Sequence, residues 1–360
     1  MKEKRYLHVF AAESNYSRTL LELLDRHVDL DQHDFYFGFG HRDKERSPIQ
    51  LKLQRRIFHM RNLLSLFRLI SSLRNYKWVY FHYLSYDPTL IFWFFQRKRL
   101  RMSTWVIWGN DIYSYYRRNN NFRTRLYEYC RRSIIASFPE IAAFVEEDVV
   151  FVKEKYNSRA EYIPILYPIP GRLENLKIIS EDSFQNDKPV FMLGNSADPS
   201  NFHIEMLDAI SKYGRGKFRV ICPLSYGGNP QYIKEVINKG TECFGSEFVP
   251  LLQILNSTDY ATILRQVDIV LMNHNRQQGL GNILALMYLG KKVYIRTNIS
   301  SYYFFKRHDC EIYDINLIGK VPLDEVLSPV LDKQKNITVI ESILDEKNSL
   351  NLWIQLFNRH

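Results

Sequence analysis

The chain has 360 residues, a mass of 43.0 kDa and a formal net charge of +10 at pH 7. Its hydrophobic content of 46% and its charged content of 24% exclude a disordered or collagen-like chain. This length predicts two domains, because a single hydrophobic core stops growing at roughly 250–300 residues. The four cysteines lie too far apart in sequence for a zinc finger or a redox pair, and we expect them to be reduced.

The sequence shows neither a signal peptide nor a membrane-spanning segment. The first residues are charged without a following apolar stretch, and the apolar run Leu90–Phe95 is too short for a bilayer, which needs about 20 residues. We therefore expect a cytoplasmic protein that is neither secreted nor integral to a membrane.

Short β-type runs alternate with helical stretches through the first half of the chain. The predicted strands are Tyr6–Phe10, Asp34–Phe39, Trp78–His82, Thr104–Trp108 and Ile134–Ser137. The predicted helices are Ser17–His27, Ile49–Arg74 and a basic helix that contains Cys130. Strands that alternate with helices predict a parallel sheet with right-handed crossovers.

Residues 169–188 interrupt this alternation with a polar, proline-containing stretch, and a second alternation follows. Its predicted strands and helices are Val190–Leu193, Asn201–Tyr213, Phe218–Cys222, Tyr232–Lys239, Phe248–Leu252, Asp259–Gln266, Ile269–Asn273, Asn282–Leu289 and Val293–Arg296. We predict an α/β fold of two Rossmann-like, doubly wound domains at 1–168 and 189–345, joined by a linker at 169–188. Residues 346–360 are expected to form a helix that packs back on the N-terminal domain.

The positive charge is concentrated in the first half of the chain. Between Lys52 and Arg132 there are 17 basic and three acidic residues, whereas residues 171–360 hold 21 of each. This asymmetry indicates an anionic partner for the first half: a nucleic acid, an anionic lipid or a phosphorylated substrate. A solvated basic surface without a specific partner is the alternative.

Two segments favour a lipid surface among these partners. Ile49–Arg74 carries apolar residues at three- and four-residue spacing among arginines, which predicts a basic amphipathic helix. Leu90–Phe95 is followed at once by the basic cluster 96–101, a combination typical of the headgroup region of an anionic membrane. A helix that packs on the core is the alternative. Nucleic acid is not an expected partner, because the sequence contains no recognisable nucleic-acid module.

Three loops that follow predicted strands of the second half carry the candidate ligand-binding residues. Gly194, Asn195 and Ser196 lie between a strand and a helix, where backbone N–H groups bind anions, although a plain turn is the alternative. The stretch 222–228 contains Tyr226, whose ring could stack on a base or pack a turn. Since the carboxyl ends of parallel strands share one sheet edge, we expect the three loops to lie together.

The third loop, Asn273–Asn282, has the highest density of polar side chains. Its candidate binding residues are Arg276, Gln277, Gln278, Gly279, Gly281 and Asn282. A guanidinium fork, glycines that let a ligand approach the backbone and a helix N-terminus together match a diphosphate. A loop with a purely structural role is the alternative.

Five stretches occur in a recognisable order: Ile107–Tyr113, Gly194–Asn201, Cys222–Tyr226, Tyr260–Asp268 and Arg276–Gly281. Together they resemble glycosyltransferase family 56. That family contains the TDP-N-acetylfucosamine:lipid II N-acetylfucosaminyltransferase of enterobacterial common antigen synthesis, and it is sometimes labelled a 4-alpha-L-fucosyltransferase family. The similarity extends from about Leu7 to Phe305.

The resemblance implies a glycosyltransferase of the GT-B type, whose two Rossmann-like domains face a central cleft. The C-terminal domain would bind a nucleotide sugar, with TDP as the expected nucleotide, through the three loops described above. The N-terminal domain would bind a polyprenyl-diphosphate glycan at the cytoplasmic face of the inner membrane and transfer to it a hexose such as an N-acetylated 6-deoxy sugar. Such enzymes usually need no metal or other cofactor, because a helix dipole and an arginine stabilise the leaving diphosphate.

Inverting transfer would require a group in the N-terminal domain that takes the proton of the acceptor hydroxyl. Asp111 is the first candidate for this base, because it follows a predicted strand within the basic region; a role as a helix N-cap is the alternative. Glu13 and His8 are the reserve candidates. The residues expected to contact the acceptor are Asn110, His82, Arg97 and Lys98.

A second hypothesis is a non-catalytic protein of the same fold that binds an anionic polymer or a membrane surface. The two hypotheses differ in one observable, the release of a nucleotide from a sugar donor.

Overall fold

The computed structural model describes residues 5–38, 56–60, 62–117, 121–168, 176–178, 180 and 186–360. The chain divides into two compact units, which we call the N-terminal unit (Met1–Pro170 with Asp345–His360) and the C-terminal unit (Gly171–Leu344). Each unit is built on one parallel β-sheet with helices packed against it.

The sheet of the N-terminal unit has seven strands among the described residues, and all neighbouring pairs are parallel. The strands are β1 (Arg5–Phe10), β2 (His33–Phe37), β3 (Ile57–His59), β4 (Tyr76–His82), β5 (Ser103–Val106), β6 (Glu140–Ala143) and β7 (Glu161–Pro164). Their order across the sheet is β3-β2-β1-β4-β5-β6-β7. Strands β5 and β6 are buried along their whole length, because helices cover both faces of a parallel sheet.

Two separate hydrophobic cores cover the two faces of this sheet. Leu66, Trp93 and Ile134 belong to the core on one face, and Leu21 and Trp353 belong to the core on the other. The α-helices that supply these cores and the adjoining loops are Asn15–His27, Leu63–Ser72, Thr89–Phe95, Asn110–Tyr113, Phe122–Ile135, Glu146–Tyr156 and Glu346–Asn358.

The last helix, Glu346–Asn358, packs on the sheet of the N-terminal unit, although it follows the whole C-terminal unit in sequence. Trp353 is fully buried, and its indole N–H donates to the carbonyl oxygen of Leu166 at 2.9 Å. Beyond the helix, Arg359 lies 3.2 Å from the carboxylate of Glu140. The C-terminus of the chain therefore completes the core of the N-terminal unit.

The sheet of the C-terminal unit has six strands within the described part of the chain, in the order β10-β9-β8-β11-β12-β13. The strands are β8 (Val190–Leu193), β9 (Arg219–Pro223), β10 (Phe248–Leu251), β11 (Ile269–Met272), β12 (Lys292–Ile295) and β13 (Tyr313–Asp314). The α-helices are His203–Ser211, Pro230–Phe244, Ser257–Gln266, Leu280–Tyr288, Ser300–Arg307, Leu323–Leu327 and Lys333–Leu344.

In both sheets the strand order reverses at one point. The chain proceeds outward from β1 to β3 and resumes with β4 on the other side of β1, and it repeats this pattern with β8 to β10 and then β11. Such a reversal leaves a crevice at the carboxyl ends of the two neighbouring strands, where open parallel sheets bind ligands. The crevices lie between β1 and β4 and between β8 and β11.

One predicted strand is wrong. Ile134–Ser137 is not a strand, because Ile134 and Ile135 form the buried last turn of the helix Phe122–Ile135, and the strand that follows is Glu140–Ala143. A short apolar run fits a buried helix end as well as a buried strand, so the pattern alone did not separate them.

The predicted helix Ile49–Arg74 is also wrong as a single element. Residues 49–55 and 61 lie outside the described residues, as does most of the predicted linker 169–188. Ile57–His59 is the edge strand β3, and the helix begins at Leu63, after Asn62 has capped it. An edge strand of three residues is too short for a recognisable period-two pattern.

The helix Leu63–Ser72 carries apolar residues on a buried face and on an exposed one. Leu66 and Leu69 are fully buried, whereas Leu64 and Phe67 are more than half exposed. The apolar run Leu90–Phe95 lies in the helix Thr89–Phe95. Among the described residues, no helix combines the length and the apolar character that crossing a bilayer requires.

Replacing Trp353 should destabilise the N-terminal unit. Trp353→Ala removes a fully buried ring, which typically lowers the free energy of unfolding by about 3–5 kcal/mol. Gln355→Ala, an exposed position of the same helix, should change it by less than about 0.5 kcal/mol. Urea unfolding of both variants tests this, and equal losses would show that the helix is not packed in solution.

Candidate functional site

Three loops at the carboxyl ends of β8, β9 and β11 meet in the C-terminal unit. Asn195, in the first loop, donates to the hydroxyl oxygen of Tyr226 in the second loop at 3.4 Å. Gln278, in the third loop, donates to Asn195 Oδ1 at 3.4 Å and accepts from the Ser200 hydroxyl at 2.9 Å. The three loops that the sequence singled out therefore form one cluster at the β8–β11 crevice.

Glycine is required where these loops touch. Gly279 has a φ of +62°, and a Cβ at this position would lie 2.8 Å from Cγ of Asn195. A Cβ at Gly228 would lie 2.4 Å from the carbonyl oxygen of Ala197. Gly194 has a φ of +71° and turns the chain away from β8. A side chain at Gly279 or Gly228 would force the loops apart.

Arg276 is oriented by an acidic partner from the first loop. Its Nη2 lies 3.2 Å from Asp198 Oδ2, and 14% of its side chain is exposed. Asp198 Oδ1 accepts from the backbone N–H of Ser200 at 2.9 Å, which fixes the carboxylate in turn. The guanidinium is therefore held in a defined place before any ligand binds.

The two adjacent glutamines of the third loop have different environments. Gln278 is 9% exposed, and its side chain contacts Asn195 and Ser200 inside the loop cluster. Gln277 is half-buried, and its backbone oxygen accepts from Arg276 Nη1 at 3.4 Å. Gln278 thus organises the loops.

Ser196 is buried, and its Oγ accepts from the backbone N–H of Asp198 at 3.4 Å.

The helix Leu280–Tyr288 begins at this cluster. Gly279 occupies its N-cap position and, as a glycine, has no side chain that could cap the first turn. Gly281 and Asn282 lie in that first turn, where the backbone N–H groups give the helix end a partial positive charge. With Arg276 nearby in sequence, this end of the sheet favours an anion.

A pocket of about 280 Å³ lies beside the cluster, at the carboxyl ends of β8, β9 and β10. Its lining residues are Asn195, Pro223, Ser225, Tyr226, Leu251, Gln253, Ile254, Leu255, Tyr260 and Asn282. Two tyrosine rings and several amide groups can stack on a planar heterocycle and hydrogen-bond its edge. Tyr260 and Gln253 were not among the predicted site residues, because both lie outside the glycine-rich loops.

In the N-terminal unit, the carboxylate of Asp111 is buried and surrounded by donors. It accepts from the backbone N–H groups of Leu84, Trp108 and Ile112 and from the indole of Trp105, at 3.0–3.3 Å. These bonds tie the segment after β4 to the loop after β5. The geometry thus gives Asp111 a structural function.

Neither of the two roles predicted for Asp111 is supported by its contacts. Gly109, and not Asp111, is the N-cap of the helix Asn110–Tyr113, so the predicted cap is wrong. Burial raises the pKa of Asp111, while hydrogen bonds from backbone N–H groups and the charge of Arg131 oppose that rise. The catalytic role of Asp111 stays a prediction, although a carboxylate that is 1% exposed has little access to a substrate.

Glu13 and Asn110 lie nearer the surface, at the carboxyl edge of the same sheet. Glu13 follows β1 and forms an ion pair with Arg18. Asn110 is exposed, and its side-chain amide donates to the hydroxyl oxygen of Tyr83 at 3.0 Å. Their roles as a base and as an acceptor contact stay predictions.

His8 and His82 lie inside the core, on β1 and β4. Their relative exposures are 0% and 1%, and their rings are hydrogen-bonded at 3.0 Å. Burial lowers the pKa of His82 to about 3. Direct contact of either ring with a substrate would require the core to open.

Arg97 and Lys98 lie at the other edge of the sheet. They follow the helix Thr89–Phe95, which leads from the carboxyl end of β4 to the amino end of β5. The structure therefore does not bring them together with Asn110, and the four predicted acceptor contacts do not form one small site.

Lys98 belongs instead to a surface that we call the aromatic–basic face, and the half-buried Arg97 precedes it in sequence. Its exposed side chains are Leu64, Phe67, Arg68, Phe95, Lys98, Arg99, Arg101, Phe122, Arg123, Arg125, Leu126 and Tyr129. The helices that carry them are packed together, since the ring of Phe94 lies 5.6 Å from that of Tyr129 and the ring of Phe67 lies 5.4 Å from that of Phe92. The helix Phe122–Ile135 had not been predicted to contribute to this surface.

Solved structures with the same architecture are glycosyltransferases and related synthases. Sucrose-phosphate synthase from Thermosynechococcus elongatus is 11% identical, with a TM-score of 0.65 over 99% of this chain and 100% of that chain. HepE from Anabaena, in complex with UDP-glucose, is 13% identical, with a TM-score of 0.60 and the same coverage. WaaG, a glycosyltransferase involved in lipopolysaccharide biosynthesis, is 10% identical, with a TM-score of 0.56 over 94% of both chains. At these identities the similarity shows the fold, which is the α/β GT-B type.

The family is shown by the sequence itself. The family model described as 4-alpha-L-fucosyltransferase, glycosyl transferase group 56, matches residues 5–310. The chain belongs to this family and is a glycosyltransferase. The resemblance, the GT-B fold class and the enzyme class predicted from the sequence are confirmed.

The buried histidines of both units make the protein sensitive to acid. Burial lowers the pKa of His33 and His203 to about 4 and that of His274 to about 3, from the ordinary histidine value of 6.5. Below pH 6.5 the unfolded chain therefore takes up protons that the folded chain does not, and the free energy of unfolding should fall as the pH decreases toward 4. For His33 alone the loss should reach about 3 kcal/mol.

Urea unfolding at a series of pH values measures this dependence. His33→Gln should give a shallower fall between pH 6.5 and pH 4 than the wild type, because one of the groups responsible is absent. Identical slopes for the two proteins would contradict the effect of burial on His33.

Proposed function

We propose that this glycosyltransferase moves a hexose from a nucleotide-diphosphate sugar to a polyprenyl-diphosphate-linked glycan in bacterial surface polysaccharide synthesis. The observation that carries the proposal is the loop cluster at the β8–β11 crevice. It combines a fixed arginine, a helix N-terminus with glycine at its cap position, and a pocket with two tyrosines. A nucleotide diphosphate has the matching parts, two phosphates and a planar base.

The donor would use each part of the cluster differently. The base would stack on Tyr226 or Tyr260 in the 280 Å³ pocket, and the diphosphate would lie at Arg276 and at the first turn of Leu280–Tyr288. Gln278 is held by its contacts with the other loops, so we propose that Gln277 is the glutamine that faces the sugar. HepE, which shares the fold, was solved with UDP-glucose, and TDP is the nucleotide that we propose here.

Transfer breaks the bond between the anomeric carbon and the diphosphate oxygen, and negative charge develops on the leaving diphosphate. Arg276 and the helix end would stabilise that charge, so we propose transfer without a metal or other cofactor. Asp198 would hold Arg276 in place until a phosphate oxygen takes over one of its contacts. The family description, 4-alpha-L-fucosyltransferase, supports a 6-deoxyhexose as the transferred sugar, with N-acetylation as a further proposal.

The aromatic–basic face supports attachment to the cytoplasmic face of the inner membrane, where a polyprenyl acceptor would lie. Phe95 and Phe122 are 70% and 82% exposed, and basic side chains flank both. Exposed aromatic rings among Lys and Arg suit the headgroup region of an anionic bilayer. Attachment would be peripheral and reversible.

Incubation of the protein with nucleotide sugars and a membrane lipid extract should release a nucleoside diphosphate. Arg276→Ala should weaken donor binding about ten- to hundredfold, because a charge-assisted contact contributes roughly 1.5–3 kcal/mol. Isothermal titration with donor and the release assay measure the two effects.

Arg219→Ala is the matched control, because it removes the same charge at the amino end of β9, away from the loop cluster. It should leave donor affinity unchanged. Equal affinities of Arg276→Ala and the wild type would remove Arg276 from the donor site, and no release with any nucleotide sugar would contradict the proposed function.

Flotation on vesicles tests the membrane proposal. The protein should float with vesicles that contain phosphatidylglycerol and not with phosphatidylcholine alone, and high salt should reverse the binding. Replacing Arg99 and Arg101 by Gln should weaken partitioning roughly 30-fold, since each charge contributes about 1 kcal/mol. Replacing Lys212 and Lys217 by Gln removes the same charge from the C-terminal unit and should have no effect. Equal flotation with both lipids would contradict an attachment through charge, and no flotation with either would contradict a membrane function of this surface.

A further inference from the structure

Three buried histidines and a tyrosine form a continuous hydrogen-bonded chain through the sheet of the N-terminal unit. His33 Nδ1 lies 3.0 Å from His8 Nε2, and His8 Nδ1 lies 3.0 Å from His82 Nε2. His82 Nδ1 is hydrogen-bonded to the hydroxyl of Tyr167. We call these four residues the imidazole chain.

The imidazole chain crosses the sheet diagonally. His33 begins β2, His8 lies in the middle of β1, and His82 is the last residue of β4. Tyr167 follows β7, and its ring lies 4.2 Å from that of Trp108, beyond the carboxyl end of β5. One end of the chain therefore reaches the carboxyl edge at the β1–β4 crevice, and the other reaches the amino edge.

Aromatic rings separate the chain from water. Phe35 and Tyr80 stack on His8 at 4.7 and 4.8 Å, and Phe357 meets it edge-on at 5.7 Å. Trp353 stacks on His82 at 5.6 Å. Burial first, and then the neighbouring histidines, lower the pKa of His8 well below its ordinary value, so the rings are neutral near pH 7.

Neutral imidazoles in such a chain have coupled tautomers, because each has one nitrogen that donates and one that accepts. If Tyr167 donates to His82 Nδ1, then His82 must donate from Nε2 to His8, and His8 must donate from Nε2 to His33. A proton that enters at one end therefore shifts every hydrogen bond of the chain. The groups are bonded in a line, and no three His, Cys, Asp or Glu side chains of the described residues are arranged to hold a metal ion.

The charged neighbours lie at the two ends of the chain. Asp29 raises and Arg5 lowers the pKa of His33, against a larger lowering by burial to about 4. At the other end, burial raises the pKa of Tyr167, a hydrogen bond with the Trp108 side chain opposes that rise, and the nearby Asp111 adds to it. His33 is 4% exposed and Tyr167 is half-buried, so both ends are more accessible than His8.

We propose that the imidazole chain is a proton relay, which takes up the proton that the acceptor hydroxyl releases during transfer and holds it until the product leaves. This role rests on the proposed function. Tyr167 would be the group that receives the proton, while His82, His8 and His33 would act through it. A buried chain with one end at the ligand-binding edge supplies a base that the saturated carboxylate of Asp111 does not.

The acceptor oxygen bonds to the anomeric carbon, the diphosphate leaves with the electron pair of its bond, and the acceptor proton moves to the oxygen of Tyr167. The phenolic proton of Tyr167 passes to His82 Nδ1, the Nε2 proton of His82 passes to His8, and that of His8 passes to His33, which becomes an imidazolium. The reverse sequence returns the proton through Tyr167 to water and restores every tautomer.

Nitrogen NMR of protein labelled with ¹⁵N-histidine tests the coupling without any substrate. Tyr167→Phe removes the end donor, and it should change the ¹⁵N shifts of His33, two histidines away. In the background of His8→Phe, which retains the ring but breaks the chain, Tyr167→Phe should no longer affect His33. If Tyr167→Phe in an otherwise wild-type protein leaves the ¹⁵N shifts of His33 unchanged, the relay is overturned.

Kinetics tests the use of the relay. His8→Phe should lower kcat at least tenfold and Tyr167→Phe about 10²-fold, with an unchanged KM for the donor and a changed pH profile. Tyr80→Phe is the matched control, because its ring stacks on His8 while its hydroxyl has no hydrogen-bond partner among the described residues. It should leave kcat unchanged.

The two measurements separate the relay from the proposed function. An unchanged kcat for folded His8→Phe, in a protein that transfers sugar, would overturn the catalytic use of the chain. Absence of any transfer by the wild type would contradict the proposed function, and that outcome would also remove the catalytic role of the chain. The NMR result would then show only whether the four groups are coupled. Thermal unfolding of each variant confirms that it is folded.

Discussion

A parallel strand covered on both faces can present polar groups to a ligand only at its ends, and the rest of this structure follows from that constraint. Strands β8 and β11 are buried along their whole length, so the groups that can recognise a ligand follow their last residues. Asn195, Arg276 and Gln278 all lie there. The reversal of strand order between β8 and β11 then opens the space in which they converge.

The histidines of the N-terminal sheet are the exception to this constraint, and their hydrogen bonds explain how it is tolerated. A buried polar group is costly unless it is paired, and His8 is paired on both ring nitrogens. The C-terminal helix covers this pair with Trp353 and Phe357. The same helix therefore completes the hydrophobic core and keeps water away from the imidazole chain, and one element serves both stability and the proposed chemistry.

The sequence predicted the strands whose signal is local. Val190–Leu193 has the predicted bounds, because it is a short apolar run between a proline and a glycine. Ile134–Ser137 was wrong, because the two isoleucines are buried by a helix rather than a sheet, and only the tertiary contacts distinguish the two. Glu140–Ala143 was missed because its first residue is an acid, whose carboxylate is bound by Thr104 and Arg359 from distant parts of the chain.

The same distinction applies to the site. Gly194 and Arg276 were found because glycines and clustered donors after a strand are a local signal, whereas the contact of Arg276 with Asp198 joins residues 78 positions apart. That contact matters for function, because an unpaired arginine in a dry site would carry a desolvation cost. In the free protein, the ion pair with Asp198 offsets that desolvation cost. On the proposed function, the donor diphosphate takes the place of Asp198 beside Arg276. The affinity for the donor therefore depends on how much more strongly the guanidinium of Arg276 interacts with the diphosphate than with Asp198. A variant Asp198→Asn in which Arg276 keeps its position should bind the donor more tightly than the wild type.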